Sequence, residues 1–313
     1  MYKLARPLFL ICETPVHAGS GSDLGIVDLP IQRERHTGFP KIEASGIKGC
    51  LRQVFEEMNA LMVGEKEYRD REELKEIISY AFGPEAGDLN AGSLGFTDAR
   101  LLLFPVKSMK GVFGWITCPR VLDRLQTDLN LCGVSFNFDP PSAYSLPSGS
   151  SLLIKKNMVI LEEYAFEISN PDDKNCNGFA SWVAENVLPD GDAHEYWREK
   201  IRHDIAVLSD DDFRDFVSLS TEVVTRTAID NITGTVKDGA LFTEEYLPSE
   251  TILYSLVLAS PIFKIEKQYF NVGEKGKEAM AIMDFFIKHL RSQHVIQVGG
   301  DATVGKGLVR TRI

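Results

Sequence analysis

The chain has 313 residues, with 34 Lys+Arg against 45 Asp+Glu for a formal net charge of −11, and is 44% hydrophobic and 25% charged. Those values exclude a disordered or fibrous chain and fit a globular core of about two domains, or one domain with large insertions. They also argue against a uniformly basic nucleic-acid-binding surface, and no run approaches the ~18 apolar residues of a membrane span.

The N-terminal M-Y-K-L-A-R-P lacks the apolar core and cleavage site of a secretory signal. Leu8 to Cys12 reads as a strand, followed by some thirty residues of glycine, charge and proline. Long irregular segments within domains are uncommon and tend to be functional or disordered. Ile26, Val27, Ile31 and Phe39 supply anchors, so an ordered functional loop is expected. A helix follows from Ser45, with Ile47, Leu51, Val54, Phe55 and Met58 on one stripe and Ser45, Lys48 and Arg52 on a neighbouring face. Ser45 suits the N-cap, and two cations beside the positive helix end make either a phosphate seat or a capped surface helix with solvated charges.

Further along, Glu72 to Phe82 has helical spacing. Ser93 to Phe104 and Gly111 to Cys118 read as strands joined by 105–110, and Pro119 to Leu131 as a helix. Residues 133–150 read as a loop, Leu152 to Ile168 as a strand, and 179–187 and 195–205 as short helices. Asp210 to Leu219 is a helix behind a Ser209 cap. Val223 to Leu247 carries turn signals at Asp230-Asn231, Gly234 and Asp238-Gly239, which predict a projecting β-hairpin or an ordinary edge hairpin. Thr251 to Ala259 suits a buried strand and Lys275 to Ser292 a helix with Met280, Met283, Phe286, Ile287 and Leu290 inward. His294 to Val298 reads as the final strand, leading into G-G-D-A-T-V-G-K-G at 299–307. The split βαβ pattern predicts an α+β, ferredoxin-like (RRM-like) core with large insertions.

Charge is unevenly spread. Asp28 to Arg52 holds five Lys/Arg against three Asp/Glu, and Val298 to Ile313 three against one, whereas acids crowd 56–76, 162–173 and 209–215. A basic groove on an acidic body fits this distribution, and so does a subunit with basic partners. The five cysteines (12, 50, 118, 132, 176) form no C-x-x-C and read as reduced thiols of a cytoplasmic protein without a zinc site. Gly300 to Gly307 nearly spells a phosphate-binding loop, yet Gly307 stands where Ser or Thr must hold magnesium and only six residues follow. Gly19 to Gly25 lacks the immediate helix of a dinucleotide fingerprint. Both loops therefore suit an RNA backbone or plain tight turns better than a nucleotide.

The strings T-P-V-H-A-G-S-G at 14–21, G-I-V-D-L-P-I-Q-R-E-R-H-T-G-F-P at 25–40 and S-G-I-K-G-C-L-R at 45–52 resemble the N-terminal region of the RAMP superfamily of CRISPR proteins. The resemblance is strongest to the repeated backbone subunit of the type III-B (Cmr) complex. It implies one domain over 1–313, with an active-site loop and guide-binding helix at 14–52 and a mainly helical insertion at 132–222. It further implies a thumb hairpin at 223–248, intercalating into the guide–target duplex, and a glycine-rich loop at 299–307. The implied partners are crRNA, complementary target RNA, other copies of the chain and other Cmr subunits, with no membrane.

Cutting RNA through its own 2′-hydroxyl needs that hydroxyl deprotonated and the leaving oxygen stabilised. A carboxylate can act as the base or hold a divalent metal that does so. Asp28, in V-D-L-P, is such an acid, and it matches the family's cleavage-associated aspartate. Expected catalytic residues are thus Asp28, as base or ligand of Mg2+ or Mn2+, with His17, Glu244 and Glu245 secondary. His17 reads equally as a structural histidine, and the two glutamates as a solvated acidic face. Expected RNA contacts are Ser45, Lys48, Arg52, Arg33, Arg35, Gly299, Gly300, Gly305, Lys306 and Gly307. The implied activity is a metal-dependent endoribonuclease cutting target RNA at regular intervals. A non-catalytic crRNA-binding scaffold and an unrelated nucleotide enzyme are the alternatives.

Overall fold

The apolar runs at 4–12 and 252–259 pair antiparallel over eight residues and form the middle of the molecule, with Leu8, Leu10 and Leu253 fully buried. The computed structural model describes residues 2–22, 25–84, 91–262, 269–270 and 277–313. Its elements begin with β1 (Leu4–Cys12), β2 (Lys41–Ile42), α1 (Ala44–Glu56), β3 (Leu61–Val63), β4 (Lys66–Tyr68) and α2 (Arg71–Phe82). Next come β5 (Leu94–Phe96), β6 (Ala99–Lys107), β7 (Phe113–Thr117) and α3 (Pro119–Leu131). The middle holds β8 (Met158–Leu161), β9 (Tyr164–Glu167), α4 (Lys174–Asn186), α5 (Glu195–His203), β10 (Ile205–Val207) and α6 (Asp210–Leu219). The last are β11 (Glu222–Ile229), β12 (Val236–Tyr246), β13 (Ile252–Ala259), α7 (Glu278–Leu290), β14 (Val295–Gln297) and β15 (Leu308–Arg312).

The central sheet runs β10-β7-β6-β13-β1-β15-β14, with β2 on β6 and β5 on β13. It is mixed, because β10 joins β7 parallel while β6, β13, β1 and β15 are antiparallel to their neighbours. Helices α1 and α7 bury Ile47, Leu51, Phe55 and Met283, Phe286, Leu290, and Phe55 stacks parallel on Phe286 with ring centroids 5.7 Å apart. All five cysteines are free, and four are buried. Among the described residues no helix is long and apolar enough to cross a membrane.

Several expectations change. Pro105 to Lys107 lies within β6, so the turn falls at 108–112, and 93–104 is two strands. Within the run 152–168 only Met158–Leu161 and Tyr164–Glu167 are strands, paired as the hairpin β8–β9 because Glu162 turns the chain with φ 49°. The 132–222 region holds α4, α5 and α6 together with the hairpin β8–β9 and β10, which joins the central sheet. His294 to Val298 is not the last strand: β15 follows the glycine-rich loop and pairs with β1, its L-V-R-T-R too polar to announce a core position. Met280 is exposed, since the inward face of α7 runs through Ala279, Ile282 and Met283. Ile26, expected to anchor its loop, is fully exposed, whereas Ile31 and Phe39 are buried. Asp238-Gly239 continues β12 and does not turn. Asp23 and Leu24 of the first glycine loop, and Lys275 and Gly276 at the expected start of the last helix, lie outside the described residues.

Candidate active site at the base of the hairpin

Strand β12 organises the site. Side chains alternate along a strand, so Thr243 and Glu245 share one face and Phe242, Glu244 and Tyr246 the other. The long loop docks beside it. Leu29 N–H donates to Thr243 O at 3.0 Å and Glu245 N–H donates to Leu29 O at 3.0 Å. Loop residue Leu29 thereby forms a parallel bridge to the base of the hairpin.

That docking fixes Asp28. Its Oδ2 accepts the Thr243 N–H at 2.7 Å and the Thr243 hydroxyl at 2.8 Å, while its own N–H donates to Thr243 Oγ at 3.0 Å. The Thr243 backbone N–H, and next its hydroxyl, hold the carboxyl below the ordinary carboxylate range. The residue is exposed, and no hydrogen bond to Oδ1 occurs among the described residues. An acid stabilised in this way is charged at neutral pH but is a weak proton acceptor. Its geometry suits holding charge and accepting a hydrogen bond at Oδ1.

Glu245 stands two residues on and is 4% exposed. Its Oε1 accepts Arg33 Nη2 at 2.5 Å and the Thr221 hydroxyl at 2.7 Å, and its Oε2 accepts Ile31 N–H at 3.0 Å. Arg33 further donates to the carbonyls of Gly38 and Val217, both at 2.9 Å. Expected at the RNA, Arg33 is therefore spent on ordering the loop. His17 Nδ1 lies 2.7 Å from Glu245 O. A carbonyl only accepts, so Nδ1 carries the proton and Nε2 is the acceptor of the neutral ring.

The opposite face holds a second network. Glu244 Oε2 accepts Arg226 Nε at 2.9 Å and lies 2.7 Å from Tyr246 Oη, which is also 2.7 Å from Asp301 Oδ2. Arg226 Nη2 donates to the same phenol oxygen at 2.8 Å. One phenol proton serves one carboxylate at a time. Burial, and next Asp301, push the Tyr246 pKa up, so the phenol keeps that proton. The ammonium of Lys306 sits 5.0 Å above the Tyr246 ring, and the His17 ring lies 5.5 Å from it. The expectation of a solvated acidic face at Glu244 and Glu245 is corrected: both are buried, and both carboxylates are bonded internally. Thr243, Tyr246, Arg226 and Asp301 were not anticipated. The alternation T-E-E-Y at 243–246, in the strand returning from a turn, was the available signal.

At α1 the N-cap is Glu43, not Ser45, and no side chain of the cap residue closes the helix. Asp98 does so from just before the neighbouring strand β6: its Oδ1 accepts Ala44 N–H at 2.9 Å, and Lys41 Nζ binds its Oδ2 at 2.9 Å. Burial alone would raise the Asp98 carboxyl, but Lys41 and the Ala44 N–H outweigh it and hold the pKa low. The positive helix end already has its carboxylate, and Ser45 is exposed as the second residue of the helix. Arg52 donates to Glu56 Oε1 at 2.6 Å and to Gly83 O at 2.7 Å. Lys48 has no bonded partner among the described residues, and burial, then Arg52, lower its pKa. Arg35 is exposed at the tip of the 33–40 turn.

The C-terminal glycine loop lies against the start of the Asp28 loop. Gly300 N–H donates to His17 O at 3.0 Å and Gly307 N–H to Pro15 O at 2.9 Å. A Cβ on Gly299 would stand 2.2 Å from His17 O, and one on Gly307 2.3 Å from Val298 O. Gly305 adopts φ 76° with open space around it. These glycines permit close backbone packing, and Lys306 is the side chain the loop presents.

Among the described residues no three His, Cys, Asp or Glu side chains gather as a metal cage. With Glu244 and Glu245 bonded internally, Asp28 Oδ1 remains. One such oxygen fits a hydrated Mg2+ or Mn2+ shared with a substrate phosphate, and does not fit an ion held by protein ligands alone.

Residues 9–310 match the RAMP superfamily. The CRISPR system Cmr endoribonuclease Cmr4 of Pyrococcus furiosus is 39% identical over 303 residues, covering 96% of this chain and 92% of that one. The crystal structure of oligomeric Cmr4 from Pyrococcus furiosus matches with a TM-score of 0.69 at 32% identity, over 99% of this chain and 98% of that chain. A chain in the cryo-EM structure of the type III-B Cmr-beta bound to cognate target RNA shares the fold, with a TM-score of 0.70 at 22% identity over 99% of this chain and 97% of that one. Because the family match runs from the first core strand into the last, this chain belongs to the RAMP superfamily.

Proposed function

We propose that the chain is a repeated backbone subunit of a type III-B (Cmr) effector, which holds guide crRNA and cuts complementary single-stranded target RNA at regular intervals. In this reading, strands β6-β13-β1-β15 with α1 and α7 form a ferredoxin-like palm, and β11–β12 is the thumb. The strand order, with one crossing helix in each half, supports the palm. Partners are the guide, the target, further copies of the chain and other Cmr subunits. Near-full-length similarity to a protein named an endoribonuclease supports RNA cleavage.

The observation that carries the proposal is the Thr243 latch, which holds an exposed, charged Asp28 at a fixed place by Oδ2, with no hydrogen bond to Oδ1 among the described residues. Base pairing to the guide supplies sequence recognition, so the protein reads backbone and shape. Asp28 Oδ1 accepts a hydrogen bond from the attacking 2′-hydroxyl and orients it. A hydrated divalent cation at that oxygen would supply a hydroxide or a counter-charge for the leaving oxygen. Lys306, steadied over Tyr246, offers a cation to the phosphate, and His17 Nε2 offers a proton acceptor. Lys48, Arg52, Arg35 and Ser45 remain the guide contacts proposed on α1 and the 33–40 turn.

The deciding experiment is Asp28→Asn in guide-loaded complexes. Cleavage should fall by more than about two orders of magnitude with assembly and target affinity kept. Near-normal cutting would sink the assignment. The second reading, a scaffold without cleavage, draws on the same latch, since an acid bonded to Thr243 also serves as a loop clasp. It expects Asp28→Asn to lower stability or assembly first, with no target cutting by the unaltered complex.

A further inference from the structure

Away from Asp28, the tip of the 33–40 turn, β6, α3 and β13 enclose a cavity of about 230 Å3. Three guanidinium groups line it: Arg100 from β6, and Arg120 and Arg124 one turn apart on α3. His36, 75% exposed, stands at its rim. The acids beneath are occupied. Asp128, 1% exposed, accepts Arg100 Nη1 at 3.2 Å, Arg124 Nε at 3.1 Å and the Tyr254 hydroxyl at 3.0 Å, all on Oδ2. Glu34 accepts the Thr37 hydroxyl at 2.8 Å and faces Arg100 Nε at 3.5 Å.

These carboxylates set the arginines in place but leave part of each fork unspent. Arg124 uses Nε on Asp128, Arg100 uses Nε and Nη1, and the Arg120 side chain has no bonded partner among the described residues. Only the backbone N–H of Arg120 is engaged, donating to Asp210 Oδ1 at 3.1 Å. Glu34 and Asp128 answer Arg100 and Arg124, and the Asp210 carboxylate lies at the Arg120 backbone, so what the pocket offers an anion is unspent N–H donors and not excess charge. Planar N–H forks held by buried acids match the oxygens of a phosphate, and the cavity is of a size for one such group.

We infer that this arginine pocket is a second subsite for a phosphodiester of bound RNA, separate from the Asp28 site. The inference rests on the proposed RNA-binding function. A phosphate is favoured over an acidic polypeptide because the unspent donors of Arg100, Arg120 and Arg124 converge on one small pocket and are not spread along a groove.

The test measures equilibrium binding of single-stranded RNA by the assembled complex over a salt series. It compares the unaltered chain with Arg120→Glu, which breaks no described side-chain bond, and with Arg124→Ala. Each variant should weaken RNA affinity, Arg120→Glu by about tenfold, and flatten the salt dependence, because fewer counterions are released. Circular dichroism separates loss of fold in Arg124→Ala, and Arg120→Glu keeps the test decisive in that event. If the unaltered complex binds no RNA, the proposed function fails and the subsite with it. If RNA binds but both folded variants match it in affinity and slope, the subsite alone is overturned. Weakened assembly with unchanged RNA binding also overturns it, assigning the pocket to an acidic neighbour.

Discussion

Two glycine-rich segments meet at the site, and they use glycine for opposite ends. The one at 299–307 is a clamp: Gly299 and Gly307 let the backbone pass where a Cβ would strike a carbonyl, and the N–H groups of Gly300 and Gly307 are taken by His17 and Pro15. The one beginning at Gly19 is bridged to Ile31, with the Ser20 N–H donating to Pro30 O, and leads to an Asp28 that stays exposed and latched to β12. Similar composition thus hides different physics. Where the N–H groups are consumed inside the protein, glycine serves packing; where the chain is latched at its edge, it serves presentation.

This contrast can be broken by experiment. The largest structural effect belongs to Glu245, which joins Arg33, Thr221 and the Ile31 N–H. Glu245→Ala should cost about 3 kcal/mol, because Arg33 and its partners lose a buried acceptor, read as a drop in denaturant midpoint. An unchanged midpoint would show that the loop does not depend on this hub. Gly299→Ala should follow at about 2 kcal/mol, combining left-handed backbone strain with overlap on His17 O. Gly305→Ala has the strain without the overlap and should cost about 1 kcal/mol. Equal losses for the two glycine variants would refute the clamp.

The smallest effect sharpens the other half of the comparison. Thr243→Val removes the hydroxyl that helps to stabilise the Asp28 carboxylate but keeps the backbone N–H. The Asp28 pKa is depressed, so its charge is present above that pKa and lost as pH falls through it. Losing a stabilising donor raises the pKa, and the acid limb of the cleavage–pH profile should move to higher pH. An unmoved limb would mean that the Asp28 charge is not what the rate follows.

Periodicity alone located α3 at Pro119–Leu131 and the Ser209-capped α6, because their apolar stripes and start signals are local. It also placed the two long buried strands, whereas the segment around Asp28 stood out by its irregular length and by a residue string that resembles the family. It could not place β15, whose polar strand earns its position only by pairing with β1. Nor could it see that Asp98 closes α1 from more than fifty positions away, or that Arg33 faces Glu245 and not solvent. Those bonds join residues distant in sequence, and whether a charge is spent inside or offered outside depends on which backbone passes beside it. The residue types set the loop apart, and the resemblance to the family made Asp28 its candidate acid. The tertiary structure alone decided that Thr243 holds one of its oxygens and leaves the other without a hydrogen bond among the described residues.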